Sequence, residues 1–148
     1  MSTPSRPHVD LAATCACGRV TLQFRGDVIS MFCCACEDCQ RATGSGHSTV
    51  ALVRRAGLTV SDGAASFARP ANSGATLTRH FCPTCGTPLY AQSSRADALA
   101  MLPVGLFGAA ADWYHPGQVI FWRSHRAWDS FPADIPHYTT YREEETAH

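Results

Sequence analysis

Short alternating stretches organise this chain, and long amphipathic runs are scarce. Residues 19–24 place Val20, Leu22 and Phe24 on one face with polar residues between them, the period-two pattern of a half-buried strand. Residues 76–81 alternate in the same way and run into Cys82. Residues 28–32, 47–53, 58–60, 88–92, 98–103 and 118–122 are short apolar or β-branched runs that read as further strands. Gly26, Gly57, Gly63, Gly74, Gly86 and Gly117 punctuate them. Helical patterning is poor. Residues 38–43 predict one or two turns after a cysteine-rich loop, and residues 109–113 another turn. The pattern predicts a mainly β protein of short strands.

Composition narrows this to one domain. The chain has 148 residues, of which 45% are hydrophobic and 16% charged, enough for a core that does not depend on crosslinks. Residues 1–9 read as a loose N-terminal tail, 10–140 as a single domain, and 141–148 as an acidic tail containing Glu143, Glu144 and Glu145. Twelve basic residues balance twelve acidic ones, and all the basic ones are Arg. The lack of Lys excludes a lysine Schiff base and a Walker-type phosphate lysine. Neutrality argues against a nucleic-acid partner. The first residues lack the apolar segment of a secretory leader, and no stretch approaches the roughly 18 apolar residues of a membrane span. The expectation is a cytoplasmic protein with no membrane partner. In a reducing compartment its eight cysteines point to metal rather than to disulfides.

The cysteines form three groups. Cys15 and Cys17 end in Gly18, and Cys82 and Cys85 end in Gly86. Both read as zinc knuckles, in which a glycine after the second cysteine permits the positive φ of a tight turn whose amides face the sulfurs. Two knuckles supply four thiolates and close a tetrahedral structural zinc site. Cys82 with Cys85, or Cys36 with Cys39, also fits a dithiol redox pair, which would make the chain a thiol–disulfide oxidoreductase. The middle group, Cys34, Cys36 and Cys39, can wrap one metal from a single loop. Three protein ligands with an open fourth position is the pattern of a catalytic zinc. Cys33 would close that site as a fourth ligand. The alternation of side chains along a strand instead turns it away from Cys34, as a buried strand residue. An open, thiolate-rich zinc favours a soft incoming thiol and deprotonates it, which suggests making or breaking a carbon–sulfur bond.

Cys15-Ala16-Cys17-Gly18, the run from Cys34 through Gln40, Arg41 and Gly44 to Ser45, and the run from Arg79 through Cys82 and Cys85 to Leu89 together resemble the glutathione-dependent formaldehyde-activating enzyme family, the GFA-like or CENP-V/GFA domain. His115-Pro116-Gly117, residues 124–128 and residues 134–136 before Tyr138 match more loosely, so the resemblance spans about residues 10–140. It implies a β-tent, Mss4-like fold with two zinc ions. Cys15, Cys17, Cys82 and Cys85 would hold the structural zinc, and Cys34, Cys36 and Cys39 the catalytic one. The implied activity is that of a carbon–sulfur lyase, typified by S-(hydroxymethyl)glutathione synthase, with glutathione or another small thiol as co-substrate. Ala35 departs from the family, whose members often carry His between the first two cysteines of this loop.

Other residues flank the loop. Asp38 or Glu37 is placed to act as a general base near a metal-bound thiol, while Asp38 also fits a helix cap and Glu37 a solvated residue. Arg41 fits a bidentate contact to a substrate carboxylate, or a balance to the thiolate charge. Residues 43–47, with Gly44 and Ser45, read as a small-residue loop that lets a ligand approach the backbone, and His47 at its end fits either a contact in the metal and ligand region or a hydrogen-bonded structural residue. Phe32 and Phe81 precede cysteine groups and read as shields against water. The alternative to a lyase on a small-molecule thiol adduct is a non-catalytic, zinc-stabilised module for a protein partner, since fold does not set function.

Overall fold

The computed structural model describes residues 6–141, and these group into two compact units. The chain up to Ser30, with Ala51–Trp113, makes the first. Met31–Val50, with the chain from Tyr114 on, makes the second.

The first unit is built on antiparallel pairing. β1 (His8–Thr14) lies against β2 (Thr21–Cys34) in a register running from Thr14↔Thr21 to His8↔Asp27. β1 takes in His8 and Val9, which the sequence reading assigned to the tail; Val9 is buried and so belongs to the packed structure. Residues 142–148 of the expected acidic tail lie outside the described residues. β2 is a single long strand where the hydrophobic pattern suggested two, because Gly26 remains extended and paired with Val9. β3 (Ser48–Arg54) follows, and β4 (Leu58–Val60) pairs with β2. β5 (Ala65–Pro70), β6 (Thr76–Phe81), β7 (Pro88–Ser93) and β8 (Leu99–Pro103) run antiparallel to their neighbours. The hydrogen-bonded strand order is β1-β2-β3-β8-β7-β6-β5. The expected alternation holds: Leu22 and Phe24 are fully buried while Thr21, Gln23 and Arg25 are exposed. Val20, Val53, Leu89 and Leu102 complete the core of this unit.

In the second unit the end of β2 pairs in parallel with β9 (Val119–Ile120), through Cys33↔Val119 and Cys34↔Ile120. β9 is shorter than the pattern suggested, because Phe121 takes a left-handed conformation and Trp122–Ser124 turn into a 3-10 helix. The helix predicted after the cysteine loop is α1 (Glu37–Thr43). Its first turn is capped by the Cys36 sulfur, which accepts from the Cys39 amide, so Asp38 is not the cap. The protein is thus mainly β, with one short α-helix among the described residues. No helix among them is long and apolar enough to cross a membrane.

Candidate functional site

The two knuckles sit within the first unit and are built alike. The Cys15 amide donates to the Val20 carbonyl and the Cys82 amide to the Thr87 carbonyl, each five residues on. Gly18 (φ 84°) and Gly86 (φ 77°) close the turns, bonding back to the carbonyls of Cys15 and Cys82. Nothing crowds either glycine, so positive φ rather than space requires it. The sulfurs of Cys15, Cys17, Cys82 and Cys85 all lie within 4.8 Å of one another. Cys17 Sγ is 3.6 Å from both Cys15 Sγ and Cys82 Sγ. A tetrahedral zinc with bonds of about 2.3 Å sets its sulfurs roughly 3.8 Å apart, so the donor set fits that metal.

Thr87 ties the knuckles together. Its hydroxyl accepts from the Ala16 amide at 3.1 Å and lies 3.2 Å from Cys85 Sγ, so the hydroxyl proton is left to donate to that sulfur. This bond and the Thr87 amide hold the Cys85 thiol down to about 5. Cys17, surrounded by the other three sulfurs, is pushed up to about 11 although the Arg19 amide favours its thiolate. Four sulfurs held this close can all be thiolates only with a cation between them.

The second set lies in the second unit. Cys34, from the end of β2, Cys36, the cap of α1, and Cys39, within α1, are all buried and have sulfurs within 4.8 Å of one another. Their apolar surroundings are Ile120 and Phe121, with Phe32 packed alongside. Contact with the Cys36 and Cys39 thiols, followed by burial, pushes Cys34 far above the ordinary thiol value. Phe121 is the one non-glycine residue at positive φ (60°) among the described residues, a costly conformation for a bulky side chain. It turns the ring onto the sulfurs, with Tyr141 edge-on at 4.8 Å. The sequence pattern singled out Phe32 here and missed Phe121, for which no local signal exists.

Cys33 is not part of this set. It packs with Ala35 and Val119 in a separate cluster, and its sulfur lies 3.7 Å from the Tyr114 hydroxyl, which donates to the Phe32 carbonyl at 2.7 Å. Burial raises the Cys33 thiol. Ala35 has no exposed surface and belongs to the cluster that Trp122, Phe131 and Ile135 pack against. Its side chain shares none of the sulfurs' neighbours, so position 35 is a packing position in this chain.

The flanking candidates are placed as follows. Arg41 is exposed and paired with Asp38 at 3.2 Å and Glu37 at 3.9 Å. Gly44 is the left-handed cap that ends α1, its amide bonded to the Gln40 carbonyl. The Ser45 amide donates to the Thr43 hydroxyl. His47 Nδ1 lies 2.7 Å from Asp129 Oδ2 in a mostly buried pair, and its ring packs on Phe131 at 4.6 Å. Gly46 makes that pair possible, since a Cβ there would overlap the Asp129 carboxylate. Gln40, quoted above only as part of a motif, braces the loop. Its Nε2 donates to the carbonyls of Ala35 and Ser124, both at 3.0 Å, and its Oε1 accepts from Arg126 Nε at 2.9 Å. Gln40 is one residue from a sulfur ligand and bonds across more than 80 positions, which is why spacing did not reveal it.

Comparison with known proteins agrees with this geometry. Residues 10–124 match the sequence family described as "Glutathione-dependent formaldehyde-activating enzyme". A protein of Emericella nidulans with the name "Putative glutathione-dependent formaldehyde-activating enzyme" is 31% identical over 87 residues, 59% of this chain and 44% of its own length. The match therefore spans less than half of that relative. The crystal structure of a Rhodobacter sphaeroides protein shares the fold, with a TM-score of 0.54 at 19% identity over 67% of this chain and 89% of that one. Both cysteine sets fall inside the matched residues, and the chain belongs to the glutathione-dependent formaldehyde-activating enzyme family.

Proposed function

We propose that the chain is a zinc-dependent carbon–sulfur lyase of the S-(hydroxymethyl)glutathione synthase type, which joins a small thiol such as glutathione to a carbonyl carbon and parts them again. The buried three-sulfur set of Cys34, Cys36 and Cys39 carries this reading, because it offers three protein ligands to a metal that takes four. Zinc held there would supply a borderline-soft Lewis acid that favours a thiol and lowers its pKa. Cys15, Cys17, Cys82 and Cys85 would hold the structural zinc.

The chain's own residues do the remaining work. The Cys39 amide bonds to Cys36 Sγ and stabilises it as a thiolate. Phe32 and Phe121 exclude water from the sulfurs. In the forward direction the thiol sulfur bonds to the carbonyl carbon, the C=O π bond opens onto oxygen, and the thiol proton ends on that oxygen. Asp38, half-buried beside the loop, moves this proton, with Glu37 next to it. A histidine at position 35 would not face the sulfurs in this packing, so Ala35 is compatible with the chemistry. Arg41 exchanges its exposed carboxylate partners for the carboxylate of the thiol substrate, and the loop of Gly44, Ser45 and His47 borders the bound ligand. All eight cysteines are free, which suits a reducing compartment, and we place the protein in the cytoplasm on that ground.

The test is magnetisation-transfer NMR of glutathione mixed with formaldehyde, alongside zinc content. The native protein accelerates exchange and carries about two zincs per chain. Cys36→Ser loses one zinc and the acceleration, while Cys33→Ala keeps both. Full activity in Cys36→Ser would refute the proposal.

A further inference from the structure

A cavity of about 340 Å³ opens within the second unit. Small-molecule sites occupy roughly 300–1,000 Å³, so its size is that of a compact ligand. Its apolar wall is Trp122, Phe131 and Ile135. These residues pack on Cys33 and Ala35, whereas the sulfurs of Cys34, Cys36 and Cys39 pack with Ile120 and Phe121. Successive side chains of an extended segment face opposite ways, so the cavity and the sulfur set lie on opposite faces of the loop that carries both.

The wall is preformed. The rings of His125 and His137 have centroids 3.7 and 4.0 Å from that of Trp122, with planes inclined by 18° and 15°. Two imidazoles this close to one ring centre cannot lie side by side on the same face, so they sandwich the indole. The backbone holds the sandwich as well: His125 Nδ1 is 2.6 Å from the Trp122 carbonyl, and the Trp122 amide donates to the Tyr138 carbonyl. Phe131 packs against Trp122 at 5.5 Å, tilted by 55°.

The polar rim is asymmetric. The carboxylate of Asp129 is taken up by His47 at 2.7 Å and by the Ser130 amide at 3.1 Å. Among the described residues Arg126 bonds only through Nε, to Gln40. Its two terminal amino groups make no hydrogen bond to the described residues, so the end-on fork that matches a carboxylate is available. A cavity with a rigid aromatic wall and one open guanidinium fork selects a particular kind of ligand.

We propose that this cavity is a second binding site, for a small carboxylate with a flat apolar body. The ligand's carboxylate pairs with the terminal amino groups of Arg126, and its body lies against Phe131 and Ile135. The site lies on the other face of the loop from the three sulfurs and does not depend on the lyase assignment.

Benzoate is the probe, titrated into the zinc-loaded, full-length protein and followed by ¹H–¹⁵N NMR. Expected are saturable shifts at the Trp122 indole N–H and at the Phe131 and Ile135 amides. Benzamide, which keeps the ring and lacks the charge, binds at least about tenfold more weakly, as does acetate, which keeps the charge and lacks the ring. Arg126→Ala weakens benzoate by about tenfold or more, and Arg126→Lys by less. Cys36→Ser leaves benzoate binding unchanged, which separates this site from the thiol site. Failure to saturate by about 20 mM would overturn the proposal. So would equal binding by Arg126→Ala, or shifts confined to the Cys34–Cys39 loop.

Discussion

Replacing Gln40 by Ala removes a side chain that joins three segments of the second unit. Two of its bonds end on main-chain carbonyls at 3.0 Å, those of Ala35 and Ser124. Ala35 has no exposed surface, so its carbonyl has no water to turn to. Each lost bond costs about 0.5–1.5 kcal/mol net, and a buried carbonyl left without a partner about 1–3 kcal/mol. The third bond comes from the exposed Arg126, which rehydrates, so it is counted at under about 1 kcal/mol. The expected loss of stability is about 2–4 kcal/mol. Because Ala35 stands between two sulfur ligands, the loop should loosen and zinc should leave it faster. Urea unfolding of the zinc-loaded protein measures the first effect, and transfer of zinc to a chromophoric chelator the second. Gln40→Glu sharpens the test: it keeps an acceptor for Arg126, but turns an oxygen toward two carbonyls that need a donor. It should lose at least as much stability as Gln40→Ala. If Gln40→Ala stays within about 0.5 kcal/mol of the native protein and releases zinc at the native rate, the bracing argument fails.

Three further outcomes are expected. Gly46→Ala should force the Asp129 carboxylate off His47 and destabilise by about 1–3 kcal/mol, and adding Asp129→Ala should recover part of that loss in a double-mutant cycle. At Phe121 the usual order of small residues should invert: both Ala and Gly lose the ring's packing, but Gly accepts φ 60° freely and should be more stable than Ala by about 1 kcal/mol in urea unfolding. In metal-free protein, ultraviolet thiolate absorbance should show one thiol titrating near 5, assigned to Cys85 by its loss in Cys85→Ser and raised toward 9.0 in Thr87→Val. Because folding lowers that thiol's pKa, its contribution to the metal-free fold is fully present above the ordinary value and is lost as pH falls toward 5. Cys17, raised to about 11, acts in the opposite sense, and its contribution is lost as pH rises from 9.0 toward 11.

Much of the first unit could be read locally. β4 and β6 have the bounds that alternation and glycine spacing set, and β7 and β8 differ by one residue at one end. β1 and β5 were missed. β1 alternates clearly only at Val9 and Leu11, and β5 keeps a mostly exposed face with Phe67 turned outward, so neither buries enough apolar surface to advertise itself. Both are held chiefly by pairing with a neighbour, an interaction that leaves little trace in one strand's own composition. The three-sulfur grouping and each half of the four-sulfur one were visible because a helix cap and the knuckle turns place those ligands within a few residues of each other, whereas the meeting of Cys17 with Cys82 spans 65 positions and depends on the fold.

The sequence by itself determined which atoms can hold metal. Cysteine spacing and the glycines that close the turns are local, and local geometry survives any arrangement of the rest of the chain. Only the tertiary structure decided what surrounds those atoms. The alternate faces of the loop separate Cys33 and Ala35 from the three sulfurs, and residues far along the chain supply Phe121 among the sulfurs' neighbours, Thr87 against the Ala16 amide and Asp129 against His47. Hydrogen bonds and buried contacts of that kind depend on a few tenths of an ångström between distant segments. No spacing within a single segment encodes such distances, so they appear only when the chain has closed on itself.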